Sequence, residues 1–320
     1  MLSEKDLRPY QHLIIDHIIA TPKCGVWSFM GSGKSIATLT AIDRLKLAGD
    51  RKPVLVVAPL RVARDVWPDE VHKWEHVQHL NILPVLGTPV ERIAALQTPA
   101  DVYTINFENL EWLVGLLWDR WPFGMIVIDE STKLKSLRAS VKKHPKTGTE
   151  FVSGKGASRA KALLKVLYQH KPERLVELTG TPAAKGLKDL WGQIYFLDYG
   201  VRLGNTYDAF INRWFQRDFD GFSVKPQPHA SKEIHEKLRD ICLALKSEDW
   251  FDLEKPILRD IYVDLPPMAR KQYRDMEKTL LADIEGHKIE AFNAGSRTMK
   301  CRQMAAGAFI GSSGTGTEWV

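Results

Sequence analysis

Gly31-Ser32-Gly33-Lys34-Ser35 is the first run in this chain whose residue types and order could do chemistry. Glycines let backbone approach a ligand closely, and successive N–H groups at a helix start face anionic oxygens. A lysine in the fourth place can reach the β/γ-phosphates of a nucleotide, and the next hydroxyl can ligate Mg2+. Gly31, Ser32, Gly33, Lys34 and Ser35 are therefore candidate nucleotide-binding residues. Lys34 is also a catalytic candidate, and Ser35 a metal ligand. The longer GxxxxGK[ST] pattern asks for glycine at position 28, where the chain has Ser28, so the match is to the shorter GxGK[ST] form. A second run, Met125-Ile126-Val127-Ile128-Asp129-Glu130-Ser131, ends an apolar stretch on two acids and a hydroxyl. Asp129 suits a Mg2+ ligand, and Glu130 suits a group that positions or deprotonates an attacking water. Taken singly, the first run could be a glycine turn before a helix and the second a pair of solvated acids. Together they form the Walker A and B halves of a nucleotide hydrolase, with ATP and Mg2+ as the implied cofactors.

Such runs need strands and helices to hold them. Residues 26–29, 54–58, 102–105, 125–128 and 175–178 are nearly continuous in apolar side chains, as strands covered on both faces are. Between them, residues 35–47 carry Ile36, Leu39, Ile42 and Leu45 at near-helical spacing, with Gly49 placed to stop the helix. This alternation predicts a parallel α/β sheet. An acid at a strand's C-terminal tip in such a sheet lies on the ligand-binding edge. Past residue 200 the pattern changes. Residues 205–250 read as helical, interrupted by an aromatic and proline-rich stretch at 219–228. Residues 257–265 read as a strand, and Pro266-Pro267 opens a charged helix from about Met268 to Ile284.

Five segments in fixed order resemble the first motor lobe of superfamily 2 helicases, specifically the Swi/Snf-like DNA-dependent ATPases. They are Leu7-Arg8-Pro9-Tyr10-Gln11, the GSGKS loop, VVAPL at 56–60, Asp129-Glu130-Ser131 and LTGTP at 178–182. The extended run LTGTPAAKGLKDLWGQIYFLD is similar to that branch's third motif and the helix after it, and compact bacteriophage-type members are nearest in style. The resemblance spans about residues 7–309. It implies a RecA-like fold and Mg2+-dependent ATP hydrolysis stimulated by duplex DNA, with translocation or remodelling rather than strand separation. It further implies that Gln11 reads the adenine edge, framed by Tyr10 and Arg8. Pro59 and Arg61 fall where the family contacts DNA backbone. Thr179, Gly180 and Thr181 fall where it links ATP state to DNA grip, and YTINFENL at 103–110 resembles a further DNA-contact motif. Where the family's acid motif often continues with His, this chain has Thr132.

Charge places the partner more closely. The chain has 45 Lys+Arg against 39 Asp+Glu, a net +6. Residues 131–174 alone hold twelve Lys/Arg and only Glu150 and Glu173, a net +10 that leaves about −4 elsewhere. The centre of this segment, KKHPKTGTEFVSGKGASRAK, has the glycine, serine and proline of a loop. Lys142, Lys143, Lys146, Lys155 and Arg159 are its candidate DNA-phosphate contacts, the plainer alternative being a solvated basic loop. The tryptophans of LEWLVGLLWDRW (Trp112, Trp118, Trp121), like Trp67, Trp74 and Trp191, read as packing residues rather than a base-stacking platform. His72, His76 and His79 share a helical spacing, but no acid or cysteine completes a zinc set. The three cysteines form no CxxC pair, residues 1–10 lack an apolar signal core, and no apolar run nears the ~18 residues of a membrane span. A reducing, cytoplasmic setting is expected, with neither membrane nor zinc.

The expected organisation is a RecA-like ATP-binding lobe over residues 1–255, with a helical appendage from about 200. Residues 256–320 are expected to be a linker and the N-terminal part of an incomplete second lobe. Two-lobed motors draw arginines from a QxxRxxR-like motif in lobe two, and the 320 residues contain none. The chain alone is thus expected to bind ATP–Mg2+ and hydrolyse it slowly, completed by a missing C-terminal region or a second-lobe partner chain. The rival expectation is a one-lobe ATP- and DNA-binding module working with a separately encoded partner. A recombination or packaging ATPase is disfavoured by the LTGTP and LRPYQ runs.

Overall fold

In the computed structural model, which describes residues 1–217, 224–251, 259, 262–279, 281–284, 287–290, 294–310 and 317–319, the chain divides into two compact units, Met1–Leu253 and Glu254–Val320. Seven strands of the first unit form one parallel sheet. In chain order the strands are β1 (Lys23–Ser28), β2 (Val54–Ala58), β3 (Ile82–Pro84), β4 (Val102–Asn106), β5 (Met125–Asp129), β6 (Arg138–Lys143), β7 (Glu150–Lys155), β8 (Arg174–Thr179), β9 (Phe215–Arg217), β10 (Val224–Pro226) and β11 (Cys242–Leu245). The sheet runs β11-β1-β8-β5-β2-β4-β3, with β6–β7 and β9–β10 standing outside it as hairpins. The five expected strands are all present, each within a few residues of its expected limits.

Helices α1 (Pro9–Ala20), α2 (Lys34–Leu47) and α3 (Trp67–Lys73) cover one face. Helices α4 (Pro89–Gln97), α5 (Leu110–Leu117), α6 (Ser158–His170), α7 (Leu190–Asp198), α8 (Tyr207–Trp214) and α9 (Ala230–Leu238) cover the other. Covering both faces is what makes the strands continuous apolar runs, since neighbouring residues enter opposite cores. Val56 and Val127 pack with α1–α3, while Leu55 and Ile126 pack with α5–α7. Each such aliphatic side chain, fully buried, contributes about 1.5–3 kcal/mol before conformational entropy is charged against it. Pro9 starts α1 at a position that needs no N–H, and α2 buries Ile36, Leu39 and Ile42 before Gly49, at φ +110°, ends it. Trp67, Trp74 and Trp191 are core residues, and Trp112 and Trp121 pack against the second core.

Three local expectations need correction. The stretch 205–250, expected to be helical, contains α8 and α9 but also β9, β10 and β11, and β11 joins the sheet beside β1. Four residues whose side chains are not uniformly buried give too short a pattern to separate strand from helix. The basic segment expected to be a loop is an antiparallel hairpin, β6 paired with β7. Its HPKTG centre is the turn, and Arg138 at its base stacks 3.8 Å from the ring centroid of Tyr207. In the second unit, α10 (Pro267–Thr279) stops before Ile284, and the next residues form β12 (Leu281–Ile284), whose backbone pairs with β13 (His287–Glu290). That unit continues with α11 (Ala294–Ala305) and the hairpin β14 (Ala308–Ile310) with β15 (Thr317–Trp319). Of the strand expected at 257–265, residues 257, 258, 260 and 261 lie outside the described residues, and 262–265 are not in a strand.

One acid sits where no charge is comfortable. Glu177 of β8 is 1 % exposed beside Gly25 of β1 and Ile128 of β5, and its Oε1 has no hydrogen-bond partner among the described residues. Burial pushes its pKa well above the ordinary carboxylate value. The folded state therefore keeps a proton that the unfolded chain releases, so stability falls as pH rises past the unfolded value of about 4.5 toward the folded one. Glu177→Gln should match the wild type in urea unfolding below that pH. Above it the variant should become progressively more stable, by up to about 1.4 kcal/mol per pH unit until the folded pKa is reached. Parallel stability curves for the two proteins would show that Glu177 is ionised in the fold.

Candidate functional site at the C-terminal edge of the sheet

Strand β1 ends at Ser28, and the five residues Phe29 to Gly33 lead into α2 at Lys34. Gly31 and Gly33 hold φ at +76° and +73°, where a side chain is strained. At Gly33 space is also exhausted, because a Cβ would meet Gln11 Nε2 at 2.1 Å. The loop thus opens a fourteen-residue helix, the geometry that presents N–H groups to an anion. Ser28 Oγ and Ser32 Oγ are buried in it without a hydrogen-bond partner among the described residues. Lys34 Nζ donates to the carbonyl oxygens of Ser28 (3.0 Å) and Phe29 (3.1 Å), spanning the loop. Burial lowers its pKa, and the nearby carboxylates of Asp129 and Glu130 oppose that shift. Ser35, the expected metal ligand, is half-buried in the first turn of α2.

Strand β8 lies between β1 and β5, with Trp27 of β1 opposite Thr179 and Asp129 of β5 opposite Leu178. The phosphate loop, Asp129 and Thr179 therefore occupy three adjacent strand tips. Asp129 is buried, and Trp67 Nε1 donates to its Oδ2 at 3.0 Å. Burial raises the Asp129 pKa, and the neighbouring Glu130 charge adds to this. The Trp67 hydrogen bond and Lys34 pull it back down. Glu130 adopts the left-handed backbone conformation at φ +63°, uncommon for a non-glycine residue. The chain turns there so that Glu130 stays half-exposed at the edge while Ser131 enters the interior. Thr179 Oγ1 accepts from Thr181 N (3.1 Å), and a Cβ on Gly180 would touch Met30 Cγ at 3.4 Å. The Thr179–Pro182 turn thus rests against the phosphate loop.

Other expected residues are placed less simply. Gln11 is buried, its Oε1 accepting from Arg8 N (2.8 Å) and its Nε2 donating to Ser32 O (3.0 Å), so it clamps the phosphate loop to the start of α1. Tyr10 is a core residue in edge contact with Phe29, Trp250 and Phe251, and Arg8 lies 5.6 Å from the Phe251 ring centroid. Arg61 is exposed just beyond β2, on the same sheet edge. Within YTINFENL only Glu108 is fully exposed. Lys142, Lys143 and Lys146 stand exposed toward the hairpin tip, Lys143 3.5 Å from Glu150, while Lys155 lies across the strand register from Arg138 at its base. Arg159 is turned toward the body of the protein, 4.0 Å from Glu108 and 6.0 Å from the Phe107 ring centroid. His76 Nε2 lies 2.9 Å from Thr40 Oγ1 and His79 Nε2 2.8 Å from Asp43 Oδ1, so these rings serve local contacts.

Sequence reasoning missed Trp67 as the partner of Asp129, and Gln193, which joins Ser131 to Pro182. A signal existed for each. A tryptophan committed to a core still needs an acceptor for its N–H, and an amide inside the apolar run LWGQIYFL must find partners.

Comparison with known proteins fits this geometry. Residues 29–150 match the SNF2-related domain. That stretch is thus similar to SNF2-family, helicase-like ATPase domains. Protein p41 of Acyrthosiphon pisum secondary endosymbiont phage 1 is 46% identical over 307 residues, covering 94% of this chain and 64% of that protein. The ATP-dependent DNA helicase DDM1 of Arabidopsis thaliana is 26% identical over 218 residues, 66% of this chain and 24% of that protein. The Sulfolobus solfataricus SWI2/SNF2 ATPase core, solved in complex with dsDNA, superposes with a TM-score of 0.58 at 22% identity, over 85% of this chain and 52% of that one. A second structure, of the Sulfolobus solfataricus SWI2/SNF2 ATPase core domain, gives 0.54 at 22% identity over 86% of this chain and 51% of that one. These superpositions show the SWI2/SNF2, RecA-like fold, and the chain spans less than two thirds of each of these relatives. No helix among the described residues is long and apolar enough to cross a membrane.

Replacing Trp67 by Phe keeps an aromatic ring in the core of the lobe but removes the donor to Asp129. The Trp67 hydrogen bond favours the ionised acid, so without it the Asp129 pKa should rise. Carboxyl 13C titration of the two proteins reads this directly, and an unmoved Asp129 titration would separate Trp67 from the acid.

Proposed function

We propose that this chain binds ATP–Mg2+ at the C-terminal edge of the sheet and hydrolyses it in response to duplex DNA, as the nucleotide-handling part of a DNA translocase. One observation carries this reading: the phosphate loop, the Asp129-Glu130 pair and the Thr179–Pro182 turn meet on the adjacent strands β1, β8 and β5. In this reading, loop N–H groups between Gly31 and Ser35 hold the phosphates, and Lys34 exchanges its two carbonyl partners for phosphate oxygens. Gln11 turns from the loop toward the base edge as the nucleotide enters. Ser35 and Asp129 offer the hard oxygen donors that suit Mg2+, which keeps several waters and needs few protein ligands. Bound there, Mg2+ would neutralise charge developing on the phosphates. Glu130, half-exposed beside the loop, accepts a proton from the attacking water as the γ-phosphoryl group passes to it and ADP departs.

The Sulfolobus solfataricus neighbour is described in complex with dsDNA, and we carry duplex DNA to this chain as its partner. Arg61 and the hairpin lysines supply phosphate contacts that fix position without reading sequence. Arginines aimed at the γ-phosphate can contribute about 10³–10⁵-fold in rate. The 320 residues contain no QxxRxxR-like run, so we propose slow hydrolysis by this chain until a second-lobe segment or partner chain supplies them.

Lys34→Ala should abolish both the residual ATPase and its DNA stimulation, measured as phosphate release with duplex, single-stranded and no DNA. Turnover surviving the substitution would move catalysis elsewhere. Rapid turnover by the wild-type chain alone would show that a second lobe is dispensable. Changing Lys142, Lys143 and Lys146 together to Gln should weaken duplex binding and flatten the slope of log affinity against log salt by about two to three, near 0.9 per lost contact. An unchanged slope would remove the hairpin from the DNA-binding surface.

A further inference from the structure

The hairpin β6–β7 leaves one strand edge open. Val141 N of β6 donates to Tyr195 Oη at 3.1 Å, so it points away from β7, whereas His144 N at the turn donates to Thr149 O at 2.8 Å. Antiparallel pairs alternate between bonded and non-bonded, so Val141–Val152 and Lys143–Glu150 are non-bonded pairs. The backbone N–H and C=O groups of Val152 and Glu150 therefore face outward from β7, and no further strand takes them among the described residues. Beside this edge lies a groove of about 950 Å³, bounded by Glu150, Phe151 and Val152 of β7 and by α5 and α6. A cavity under one face of a strand would meet alternate residues, so three in succession set it along the edge. Helix α5 and the short turn after it supply Val114, Gly115 and Trp118 at helical spacing, and α6 supplies Ala162. Of the exposed aromatic side chains described in Met1–Leu253, namely Trp118, Phe151 and Trp250, two stand in this groove.

We propose that the β7 edge and its groove form a docking site for an extended segment of a partner protein, which adds a third strand beside Val152 and lays apolar side chains between α5 and α6. The outward backbone groups supply main-chain bonds, and the groove selects side chains. An added strand lies about 4.8 Å from β7 and turns every second side chain into the groove. Exposed edges are ordinarily guarded by charge, yet between Glu150 and Lys155 the run Phe151-Val152-Ser153-Gly154 carries none. Charge states which segment fits. The walls differ in sign, with Lys161 and Lys165 on α6 and Glu111 and Asp119 on the α5 side. Among the described residues none of these four is in an ion pair, whereas Glu150 already has Lys143 at 3.5 Å. The partner segment therefore carries an acid toward α6 and a base toward α5, around central apolar residues. A nucleic-acid strand suits only the α6 wall, because Glu111 and Asp119 repel its phosphates.

The probe is a short fluorescent peptide that alternates threonine with lysine, valine, phenylalanine and glutamate in that order, together with its reverse, since either strand direction can satisfy an edge. Anisotropy with the full chain should show saturable binding of at least one of them. Bound peptide should slow hydrogen exchange at the Val152 amide of the wild type and leave the Phe151 amide, already bonded within the hairpin, unchanged. Val152→Pro removes the outward N–H while sparing the hairpin's own bonds, and it should weaken binding about tenfold. Reversing Lys161 and Lys165 to Glu should weaken it similarly, and a peptide with a second lysine in place of glutamate should restore binding to that variant. Failure of both peptides to bind, or binding that leaves Val152 exchange unchanged, would overturn the docking site. So would self-association of the chain that Val152→Pro abolishes, which would make a second copy the occupant. Displacement of bound peptide by single-stranded DNA would overturn it too, making the groove a nucleic-acid site.

Discussion

The parallel pairing of β8 between β1 and β5 is the constraint on which the nucleotide edge depends. Neighbouring strands lie about 4.8 Å apart, so three adjacent C-terminal tips fall within roughly 10 Å of one another. The residues they carry are far apart in sequence: the loop follows residue 28, the acids end at 130 and the turn begins at 179. Only a sheet in which β8 inserts between two earlier strands brings them together. Crossovers through helices make that insertion possible, and they also cover both faces and exclude water. The continuous apolar strands and the assembled site are two results of one topology.

Burial then sets the electrostatics. Asp129 is desolvated by the same packing that positions it, which works against its ionisation, and Lys34 is disfavoured as a cation for the same reason. Each charge partly restores the other, and the Trp67 N–H supplies Asp129 with a further donor. Glu177 shows the contrast on the same sheet: it is more deeply buried than Asp129, its Oε1 has no hydrogen-bond partner among the described residues, and burial pushes its pKa well above the ordinary carboxylate value. Two carboxyl groups on adjacent strands thus differ by which groups surround them.

Much of this could be read from sequence because it is local. GSGKS before an apolar-periodic helix, and acids ending an apolar strand, announce their geometry within a few residues. The strands were legible because burial on both faces leaves an unbroken apolar run. The hairpin β6–β7 was not, because Lys142, Lys143, Glu150 and Phe151 are all exposed and show no alternation, leaving only its turn residues to be seen. Strand β11 was hidden by its brevity. Trp67 and Gln193 lay beyond reach for another reason: each bonds a residue 62 positions away, and no local spacing encodes a partner at that distance. Their types marked them as needing partners, but only the fold names them.

The two ties between the acid segment and the turn after β8 differ in kind. Lys135 and Asp189 attract over a broad range of geometries, and an ammonium can swing on its flexible stem without losing the interaction. An amide wedged between two carbonyls and a hydroxyl has no such latitude, since every bond is directional and unscreened. Charge therefore suits holding the two segments near each other, and the amide suits fixing their spacing. Glu130 sits at the end of the directional tie, on a backbone conformation that most residues avoid. Ser131, the next residue, carries the bond to Gln193, so that tie begins one residue from this backbone turn.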